Sequence, residues 1–214
     1  PISAADMAHM ITNMGANRVV TVDLHCGQIQ GFFPPSVPVL NIFAGPIGAV
    51  YFSEKGLVNP VIVSPDAGGV RRAKEFKSVF EEKSGTDANF AMIIKQRSGA
   101  GQIDTMNLVG SVAGSDCVIV DDMTDTAGTL CKAAAALKEN GAKRVFAFTS
   151  HGLLNGAAAD RVKSSVLEEL VVTNSVPIPS AFDDAPNVRV LNIAPILAET
   201  IKRLQTQDTL STLY

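Results

Sequence analysis

The sequence predicts an α/β fold, in which helices cover both faces of a doubly wound, mostly parallel sheet. Three observations predict it. Short apolar, β-forming runs alternate with helical patterns along most of the chain. Several of these runs end in carboxylates and glycines that lead into the next helix, so ligand-binding groups are expected at the carboxyl ends of strands. Hydrophobic residues make up 46% of the 214 residues, which is enough for a sizeable buried core.

Individual elements are predicted from hydrophobic periodicity and from residues that begin or end helices. Ser3 is expected to cap a first helix that Gly15 ends, with apolar residues at helical spacing at Met7, Met10, Ile11 and Met14. The predicted strands are Arg18–Asp23, Val39–Phe43, Val61–Ser64, Phe90–Lys95, Cys117–Asp121, Arg144–Thr149, Val171–Asn174 and Val188–Ile193. The later helices are predicted at Ile47–Lys55, Ala67–Lys83, Gly128–Asn140 and Ala194–Leu204. Loops are expected over residues 24–37 and 96–102.

Charge and composition exclude several classes of function. A net charge of −3, without a clustered basic face, argues against general binding to nucleic acid or to anionic membranes. No apolar run approaches the roughly 20 residues of a membrane span. The three cysteines, Cys26, Cys117 and Cys131, are odd in number and contain no C-x-x-C pair. They predict reduced thiols in a cytoplasmic protein, with Cys117 and Cys131 in the core.

The segment Cys117–Leu130, with the sequence C-V-I-V-D-D-M-T-D-T-A-G-T-L, carries the strongest functional signal. A buried strand is predicted to run into two adjacent carboxylates, and a short turn then leads into a helix. The unpaired N–H groups and the positive dipole end of a helix N-terminus favour an anion. The turn residues expected at this anion site are Asp125, Thr126, Gly128 and Thr129.

Next to that turn, Asp121 and Asp122 form a carboxylate pair. Because side chains alternate along a strand, only one of the two is expected to point straight at a ligand. An anion site beside carboxylates suits a phosphorylated sugar, with the phosphate at the turn and the hydroxyls at the carboxylates. A plain strand end and helix cap explain each feature taken singly, whereas their order favours a binding site.

Two further strand ends carry residues suited to metal or phosphate chemistry. His25 follows a predicted strand and could ligate a metal or bind a nucleotide phosphate, although a structural role is commoner for such a histidine. Asp66 ends another strand and is followed by Gly68 and Gly69. This pattern fits a second phosphate-facing turn in which Asp66 holds Mg²⁺, and it fits an ordinary strand-to-helix turn equally well.

A pair of cations, Lys95 and Arg97, leads the glycine-containing loop Ser98–Gly101. Two cations on a mobile lid could neutralise charge that develops on a transferred phosphoryl group. The commoner role of such a pair is solvated surface, and the sequence alone leaves both open.

Several motifs occur together in one order along the chain. They are P-I-S-A at 1–4, D-L-H-x-x-Q-I-Q-G-F-F at 23–33, V-S-P-D-A-G-G at 63–69, K-x-R at 95–97, D-D-x-x-D-T-x-G-T at 121–129, H-G-L-L at 151–154, V-V-T-N at 171–174 and I-L-A-E at 196–199. With them, the whole chain resembles the C-terminal two-thirds of the ribose-phosphate pyrophosphokinases, the phosphoribosyl pyrophosphate synthetases. The D-D-x-x-D-T-x-G-T loop is also similar to the signature of type I phosphoribosyltransferase folds, so the resemblance implies a phosphoribosyltransferase-like sheet.

The resemblance implies a reaction and its partners. Family members transfer the β,γ-pyrophosphoryl group of ATP to the anomeric hydroxyl of ribose 5-phosphate, with Mg²⁺, for nucleotide biosynthesis. The products are phosphoribosyl pyrophosphate and AMP. A homo-oligomer is also implied, because dimers assemble into hexamers in the family, and no nucleic acid or membrane partner is expected.

By motif match, the resemblance assigns roles to individual residues. Asp125–Thr129, including Ala127, would hold the 5-phosphate, and Asp121 and Asp122 would address the ribose hydroxyls and the cation shell. Lys95 and Arg97 would be the catalytic cations. The residues implied on the Mg·ATP side are His25, Gln30, Asp66, Gly68 and Gly69, and the implied metal ligands are Asp23, His25 and Asp66.

The family pattern also predicts the domains. Residues 1–44 would be the terminal part of an otherwise missing N-terminal phosphoribosyltransferase-like domain, residues 45–204 a C-terminal domain with the ribose 5-phosphate loop, and residues 205–214 a tail. Because the chain begins at Pro1 without a methionine, a fragment or processed chain that is weakly active alone is expected.

Two other functions fit parts of the pattern. A phosphoribosyltransferase that consumes phosphoribosyl pyrophosphate shares the loop at 121–129 but does not need His25, Lys95 or Arg97. A non-catalytic regulatory homologue of the synthetase is the second alternative. Such homologues usually lose parts of the signature loop, and all of its residues are present here.

Overall fold

The computed structural model describes residues 2–96 and 105–210. It divides the chain into two compact units, residues 1–44 and residues 45–214. The interpretation of the first unit as the end of a longer domain stays a prediction.

The first unit pairs one helix with a small parallel sheet. Its elements are helix α1 (Ile2–Asn13), strand β1 (Val19–Val22), a 3₁₀ helix (Gly27–Phe32) and strand β2 (Val39–Ile42). Strands β1 and β2 run parallel, with Val19 opposite Val39. The 3₁₀ helix forms within the segment predicted as an irregular loop. Gly15, at a φ of +91°, lies just beyond the end of α1, where a left-handed glycine is expected.

One expectation for α1 is wrong. Ser3 lies within the helix, which begins at Ile2, so Ser3 is not its N-cap. The helix that the apolar spacing predicts does form, with Met7, Met10 and Met14 55%, 60% and 88% exposed. Helical periodicity reports that apolar residues share one face, and it carries no information about what covers that face.

The second unit is built on seven strands among the described residues. In chain order its strands are β3 (Val61–Ser64), β4 (Asn89–Gln96), β5 (Thr105–Val109), β6 (Asp116–Thr124), β7 (Arg144–Gly152), β8 (Glu169–Thr173) and β9 (Val188–Leu191). Its helices are α2 (Gly45–Ser53), α3 (Val70–Ser84), α4 (Gly128–Glu139), α5 (Ala158–Ser164) and α6 (Ala194–Thr206), with a 3₁₀ turn at Ser180–Phe182.

The strands lie in the order β5-β4-β3-β6-β7-β8-β9, and all pairs are parallel except β4 with β5. From β3 the chain first moves outward to β4 and β5, and it then returns to place β6 on the other side of β3. The sheet order therefore reverses between β3 and β6. Ligands of doubly wound sheets bind at such a switch point, beyond the carboxyl ends of the strands.

Helices pack on both faces of this sheet, as predicted. On one face, Phe52 of α2 and Phe76 of α3 contact the rings of Phe146 and Phe148 in β7. Gly48 lets α2 approach β7 closely, because a side chain there would overlap the ring of Phe148. On the other face, the buried residues of α4 and α5 share one apolar cluster with the alternate strand residues, including Leu130, Ala133, Leu137, Val162, Val61, Ile119 and Val145. The predicted α/β class is confirmed.

The structure also corrects the predicted elements. Strand β5 and helix α5 were not predicted, and β5 is the antiparallel edge strand. Strand β6 continues past the predicted end at Asp121 to Thr124, and β7 continues past Thr149 to Gly152. Both extensions carry polar residues that sequence patterns assign to turns, yet they pair with each other, Met123 with His151 and Thr124 with Gly152. Strand pairing overrides local propensity here.

Candidate functional site

Two turns lie at the switch point of the sheet. One follows β3 and leads into α3, and the other follows β6 and leads into α4. Strands β3 and β6 are paired in parallel, with Val63 opposite Ile119, so both turns leave the same edge of the sheet side by side.

The turn after β6 presents a helix N-terminus. Helix α4 begins at Gly128, and the preceding residue, Ala127, has a left-handed φ of +58°. No side chain among the described residues caps this helix, and its first backbone hydrogen bond is donated by the N–H of Cys131 to the carbonyl of Ala127. In an α-helix the earlier N–H groups lack intrahelical acceptors, so those of Gly128 and Thr129 are suited to an anion.

A neighbouring segment fixes this turn from outside. The backbone N–H of Asn155 donates to the carbonyl of Asp125 (3.0 Å), and the Asn155 side-chain amide donates to the Asp125 carboxylate (2.9 Å). Arg161 Nη1 of α5 donates to the carbonyl of Thr126 (2.7 Å). The side chains of Asp125, Thr126 and Thr129 are exposed, so these hydrogen bonds leave the outer surface of the turn open to solvent.

The carboxylate pair lies at the end of β6, against a cation. Arg72 of α3 places Nη1 3.7 Å from Asp121 Oδ1 and 3.6 Å from Asp122 Oδ1. The side chains of Asp121 and Asp122 are 26% and 5% exposed, so one of the two is open to a ligand, as strand alternation predicts. The Nε of Arg72 is buried and has no acceptor among the described residues.

Burial and the neighbouring carboxylate change the acidity of this pair. Burial raises the pKa of Asp121 to about 7, and its hydrogen bond and charge interaction with Asp122 act in the same direction. The nearby Arg72 and the backbone N–H of Asp122 act in the opposite direction on the Asp121 pKa, without cancelling the shift. The pair therefore retains a proton close to neutral pH.

The turn after β3 is closed by its own residues. The carboxylate of Asp66 accepts a hydrogen bond from the backbone N–H of Gly69 (2.8 Å), and the Ser64 hydroxyl donates to the carbonyl of Asp66 (2.7 Å). Asp66 and Gly68 are exposed, whereas Gly69 is buried. A Cβ at Gly69 would lie 2.9 Å from Ser64 Oγ, so this position requires glycine. The turn directs an exposed carboxylate outward at the edge of the sheet.

In the first unit, the predicted residues follow strand β1. Asp23 is 2% exposed, has a left-handed φ of 42°, and accepts a hydrogen bond from the backbone N–H of Ala44 at Oδ2 (2.9 Å). This contact gives Asp23 a structural role. His25 is exposed, and Gln30 donates from Nε2 to the carbonyl of Gly27 (3.2 Å).

Three further expectations concern the catalytic cations, the metal and the cysteines. Lys95 belongs to strand β4, which lies between β5 and β3. The Lys95 side chain lies outside the described part of the structure, and so do Arg97 and the loop 98–101. Within the described residues, no group of three or more His, Cys, Asp or Glu side chains is arranged around a metal ion. All three cysteines lie in the described part of the chain and are unpaired. Cys117 is buried in the core as predicted, but Cys131 is half-buried.

Sequence reasoning missed three residues around these turns. Arg72 forms ion pairs with the carboxylate pair, and Asn155 and Arg161 donate hydrogen bonds to the turn after β6. No local pattern marks Arg161, because α5 was not predicted and Thr126 lies 35 residues earlier. The position of Asn155 near this turn could have been predicted from the order of the strands. Strands β6 and β7 are consecutive and parallel, so the segments that follow them leave the same edge of the sheet.

No described helix is long and apolar enough to cross a membrane.

Comparisons with known proteins agree with this architecture. The family model of the phosphoribosyl synthetase-associated domain matches residues 86–214. Ribose-phosphate pyrophosphokinases of Vibrio parahaemolyticus and Mesorhizobium japonicum are each 46% identical over the whole chain, which covers 66% and 67% of their lengths. The crystal structure of phosphoribosylpyrophosphate synthetase from Mycobacterium smegmatis is 38% identical and superposes with a TM-score of 0.83, over 97% of this chain and 65% of that one. The chain therefore belongs to the ribose-phosphate pyrophosphokinase family.

Proposed function

We propose that the chain acts in the synthesis of phosphoribosyl pyrophosphate, as a ribose-phosphate diphosphokinase that uses ATP and Mg²⁺. The anomeric hydroxyl oxygen of ribose 5-phosphate attacks the β-phosphorus of ATP. The bond between that phosphorus and the α,β-bridging oxygen breaks, AMP leaves with the electron pair, and the hydroxyl proton is released. The observation that carries the proposal is the α4 N-terminus, uncapped among the described side chains, beside the Asp121–Asp122 pair.

The sugar phosphate is bound by the turn Asp125–Thr129. The N–H groups of Gly128 and Thr129 donate to the 5-phosphate, and the hydroxyls of Thr126 and Thr129 add donors. A buried Ala127 in the left-handed conformation supports this arrangement, because it orients successive N–H groups towards one point.

The ribose ring is oriented by the carboxylate pair. Asp121, the more exposed member, accepts hydrogen bonds from ring hydroxyls, and Asp122 holds Arg72 in place behind it. Because the Asp121 pKa lies near 7, cation binding releases a proton from the pair. Positioning of the anomeric hydroxyl in this way supplies a large part of the rate enhancement in a pyrophosphoryl transfer.

In the second unit, Asp66, Gly68 and Gly69 are proposed to bind Mg·ATP. In the first unit, His25 and Gln30 are proposed for the same ligand by their motif alone. One oxygen of Asp66 closes its own turn, and the exposed carboxylate retains capacity for a cation. Mg²⁺ commonly takes one or two protein carboxylates and fills its other positions with water and substrate phosphates, so a three-residue cage is not required. Bound Mg²⁺ would neutralise phosphate charge. Asp23 is also proposed as a metal ligand, and its Oδ2 accepts a hydrogen bond from the backbone N–H of Ala44.

Lys95 and Arg97 complete the proposed site as the cations that stabilise the transferring group. A charge-stabilising role affects turnover more than ground-state binding. Lys95→Ala is therefore expected to lower kcat by at least roughly 100-fold while leaving ribose 5-phosphate affinity within about twofold. Steady-state AMP formation and calorimetric titration measure the two quantities, and an unchanged kcat would remove Lys95 from the mechanism.

We extend the proposal to the biological setting. The chain works in the cytoplasm, in nucleotide biosynthesis, as part of a homo-oligomer. The relatives named ribose-phosphate pyrophosphokinase support the role in nucleotide biosynthesis, and three cysteines without disulfide bonds support a reducing compartment. Sedimentation of the purified protein tests the assembly.

The function is tested by titrating the purified chain with ribose 5-phosphate and, as a control, with unphosphorylated ribose. We expect the chain to bind ribose 5-phosphate and not to bind unphosphorylated ribose. AMP release from Mg·ATP on addition of ribose 5-phosphate, without any base, distinguishes the synthetase from a phosphoribosyltransferase, which needs phosphoribosyl pyrophosphate and a base. Saturable binding without AMP release favours the regulatory homologue, and absence of binding contradicts the proposal.

A further inference from the structure

We propose that Arg161 of α5, together with Asn155, positions the phosphate-binding turn Asp125–Thr129. Neither residue is a predicted contact of the substrate. This inference rests on the proposed function, because it assigns the turn its anion.

Arg161 holds the turn through its backbone. Its Nη1 donates to the carbonyl of Thr126 at 2.7 Å, which directs that carbonyl towards α5. A peptide group has its C=O and the following N–H on opposite sides. Fixing the Thr126 carbonyl therefore fixes the opposite direction of the N–H of Ala127, at the residue with the left-handed φ of +58°.

Asn155 holds the beginning of the same turn. Its backbone N–H and side-chain amide both bind Asp125, and the N–H of the preceding Leu154 donates to the carbonyl of Thr124 (3.1 Å). Leu154 itself has a left-handed φ of 52° and is buried in the same apolar cluster as Ala127. Two buried residues with left-handed backbones thus lie in the two segments that these hydrogen bonds join. The strain of a left-handed non-glycine backbone persists only where surrounding contacts over-determine it.

The location of Arg161 argues for positioning rather than for general stability. Its side chain is exposed, and an exposed arginine loses rotamer freedom when it is held to one carbonyl. Its Nη1 also lies 3.8 Å from the position of a Cβ built on Gly128, the first residue of α4. Arg161 therefore approaches the turn from the side of α5, and it leaves the hydroxyls of Thr126 and Thr129 exposed.

A guanidinium near an anion site can also act by charge alone, and the two roles have different signatures. Long-range attraction is screened by salt, whereas a fixed backbone geometry is not. Lysine retains the charge and offers donors on a flexible stem, and glutamine retains a planar donor without the charge. Comparison of these variants at low and high salt separates the roles.

The experiment titrates ribose 5-phosphate into the wild-type chain and into Arg161→Ala, Arg161→Lys, Arg161→Gln and Asn155→Ala, with Lys163→Gln as a matched control. Lys163 is an exposed cation on the same helix, so its loss changes the charge of α5 equally. Circular dichroism and thermal unfolding report whether each variant folds. Titration with inorganic phosphate shows whether the loss belongs to the phosphate end of the ligand.

Arg161→Ala is expected to weaken ribose 5-phosphate and phosphate binding by roughly tenfold at both salt concentrations, with partial rescue by Lys. Asn155→Ala is expected to lose about threefold to tenfold, and Lys163→Gln to match the wild type. Equal affinity of Arg161→Ala and wild type overturns the inference, and so does a loss that Lys163→Gln reproduces or that high salt abolishes. A wild-type chain that binds neither ligand overturns the proposed function instead.

Discussion

The two turns at the switch point are built in opposite ways. The turn after β3 is closed from inside, because its own Asp66 accepts the N–H of Gly69. The turn after β6 is held from outside, because Asn155 and Arg161 donate to it from the segment that follows the neighbouring strand. In the turn after β3, the Asp66 carboxylate therefore occupies the backbone N–H of Gly69. In the turn after β6, the hydrogen bonds from Asn155 and Arg161 are accepted by carbonyl and carboxylate groups, so the N–H groups at the start of α4 remain available to a ligand.

This difference relates each turn to a ligand of opposite charge. A turn that binds its own N–H and exposes a carboxylate is suited to a cation. A turn whose carbonyls are tied back and whose N–H groups point outward is suited to an anion. Both begin as a parallel strand followed by a carboxylate and a glycine, so the source of the hydrogen bonds, and not the local sequence alone, decides the chemistry.

The comparison is tested most strongly by adding one methyl group to each turn. Gly128→Ala has room, since its Cβ would lie 3.7 Å from Thr126 Oγ1, and alanine favours the helix, so stability is expected to be unchanged or raised by up to about 1 kcal/mol. The methyl group holds the phosphate away from the N–H groups. Loss of one or two charge-assisted hydrogen bonds lowers ribose 5-phosphate affinity by roughly 100-fold, or about 2.7 kcal/mol.

Gly69→Ala is the matched variant and is expected to do the reverse. Its Cβ would lie 2.9 Å from the buried Ser64 Oγ, so overpacking destabilises the fold by about 1 to 3 kcal/mol. Ribose 5-phosphate affinity of the folded fraction should change little. Urea unfolding and calorimetric titration of both proteins measure the two effects. The comparison fails if Gly128→Ala binds normally or if the two variants lose affinity equally.

The fold was largely predictable because alternating strands and helices leave strong local patterns. The position of the Asp125–Thr129 turn was predictable for the same reason: an apolar strand, a carboxylate pair and a glycine lie within one short segment. The edge strand β5 and the short helix α5 left weaker patterns. The seven-residue α5 has alanines, charged residues and a single valine, and it is stabilised by packing of Ala158 and Val162 against the core.

Contacts between distant segments were not predictable in the same way. Arg72 meets Asp121 and Asp122 because β3 and β6 are adjacent in the sheet, although about 50 residues separate them in the chain. A sequence pattern reports which side chains share a face of one element, and partners across elements depend on strand order. The sequence predicted a doubly wound sheet but not the order of its strands. The burial of Asp121 and its contact with Arg72 depend on that order, so the pKa of Asp121 could not be derived from the sequence.

A smaller effect is expected when the charge of Asp66, in the turn after β3, is removed. Asp66→Asn retains an oxygen that can accept the N–H of Gly69, so the turn should keep its shape. The lost charge is expected to weaken Mg²⁺-dependent ATP binding by roughly tenfold and to leave ribose 5-phosphate binding unchanged. Asp87→Asn is the control, because Asp87 is exposed and precedes β4, at the opposite edge of the sheet. If Asp66→Asn weakens the sugar phosphate instead, the assignment of opposite charges to the turns is wrong.

The carboxylate pair that lies between the turns is expected to make the stability of the protein depend on pH. Because burial raises the pKa of Asp121 to about 7, the folded protein binds an extra proton between the ordinary aspartate pKa near 4 and about 7. Stability from this group is therefore fully present below about pH 4 and is lost as the pH rises through 7. Asp121→Asn keeps an acceptor for the N–H of Asp122 and removes the titration.

The stability difference between Asp121→Asn and wild type should consequently be near zero at about pH 4 and should grow, in favour of the variant, as the pH rises towards about 8. Urea unfolding across this range measures it, and taking the difference cancels every group that the two proteins share. A difference that stays constant with pH would mean that Arg72 keeps Asp121 ionised throughout. The carboxylate pair would then bind a sugar hydroxyl or a cation without releasing a proton.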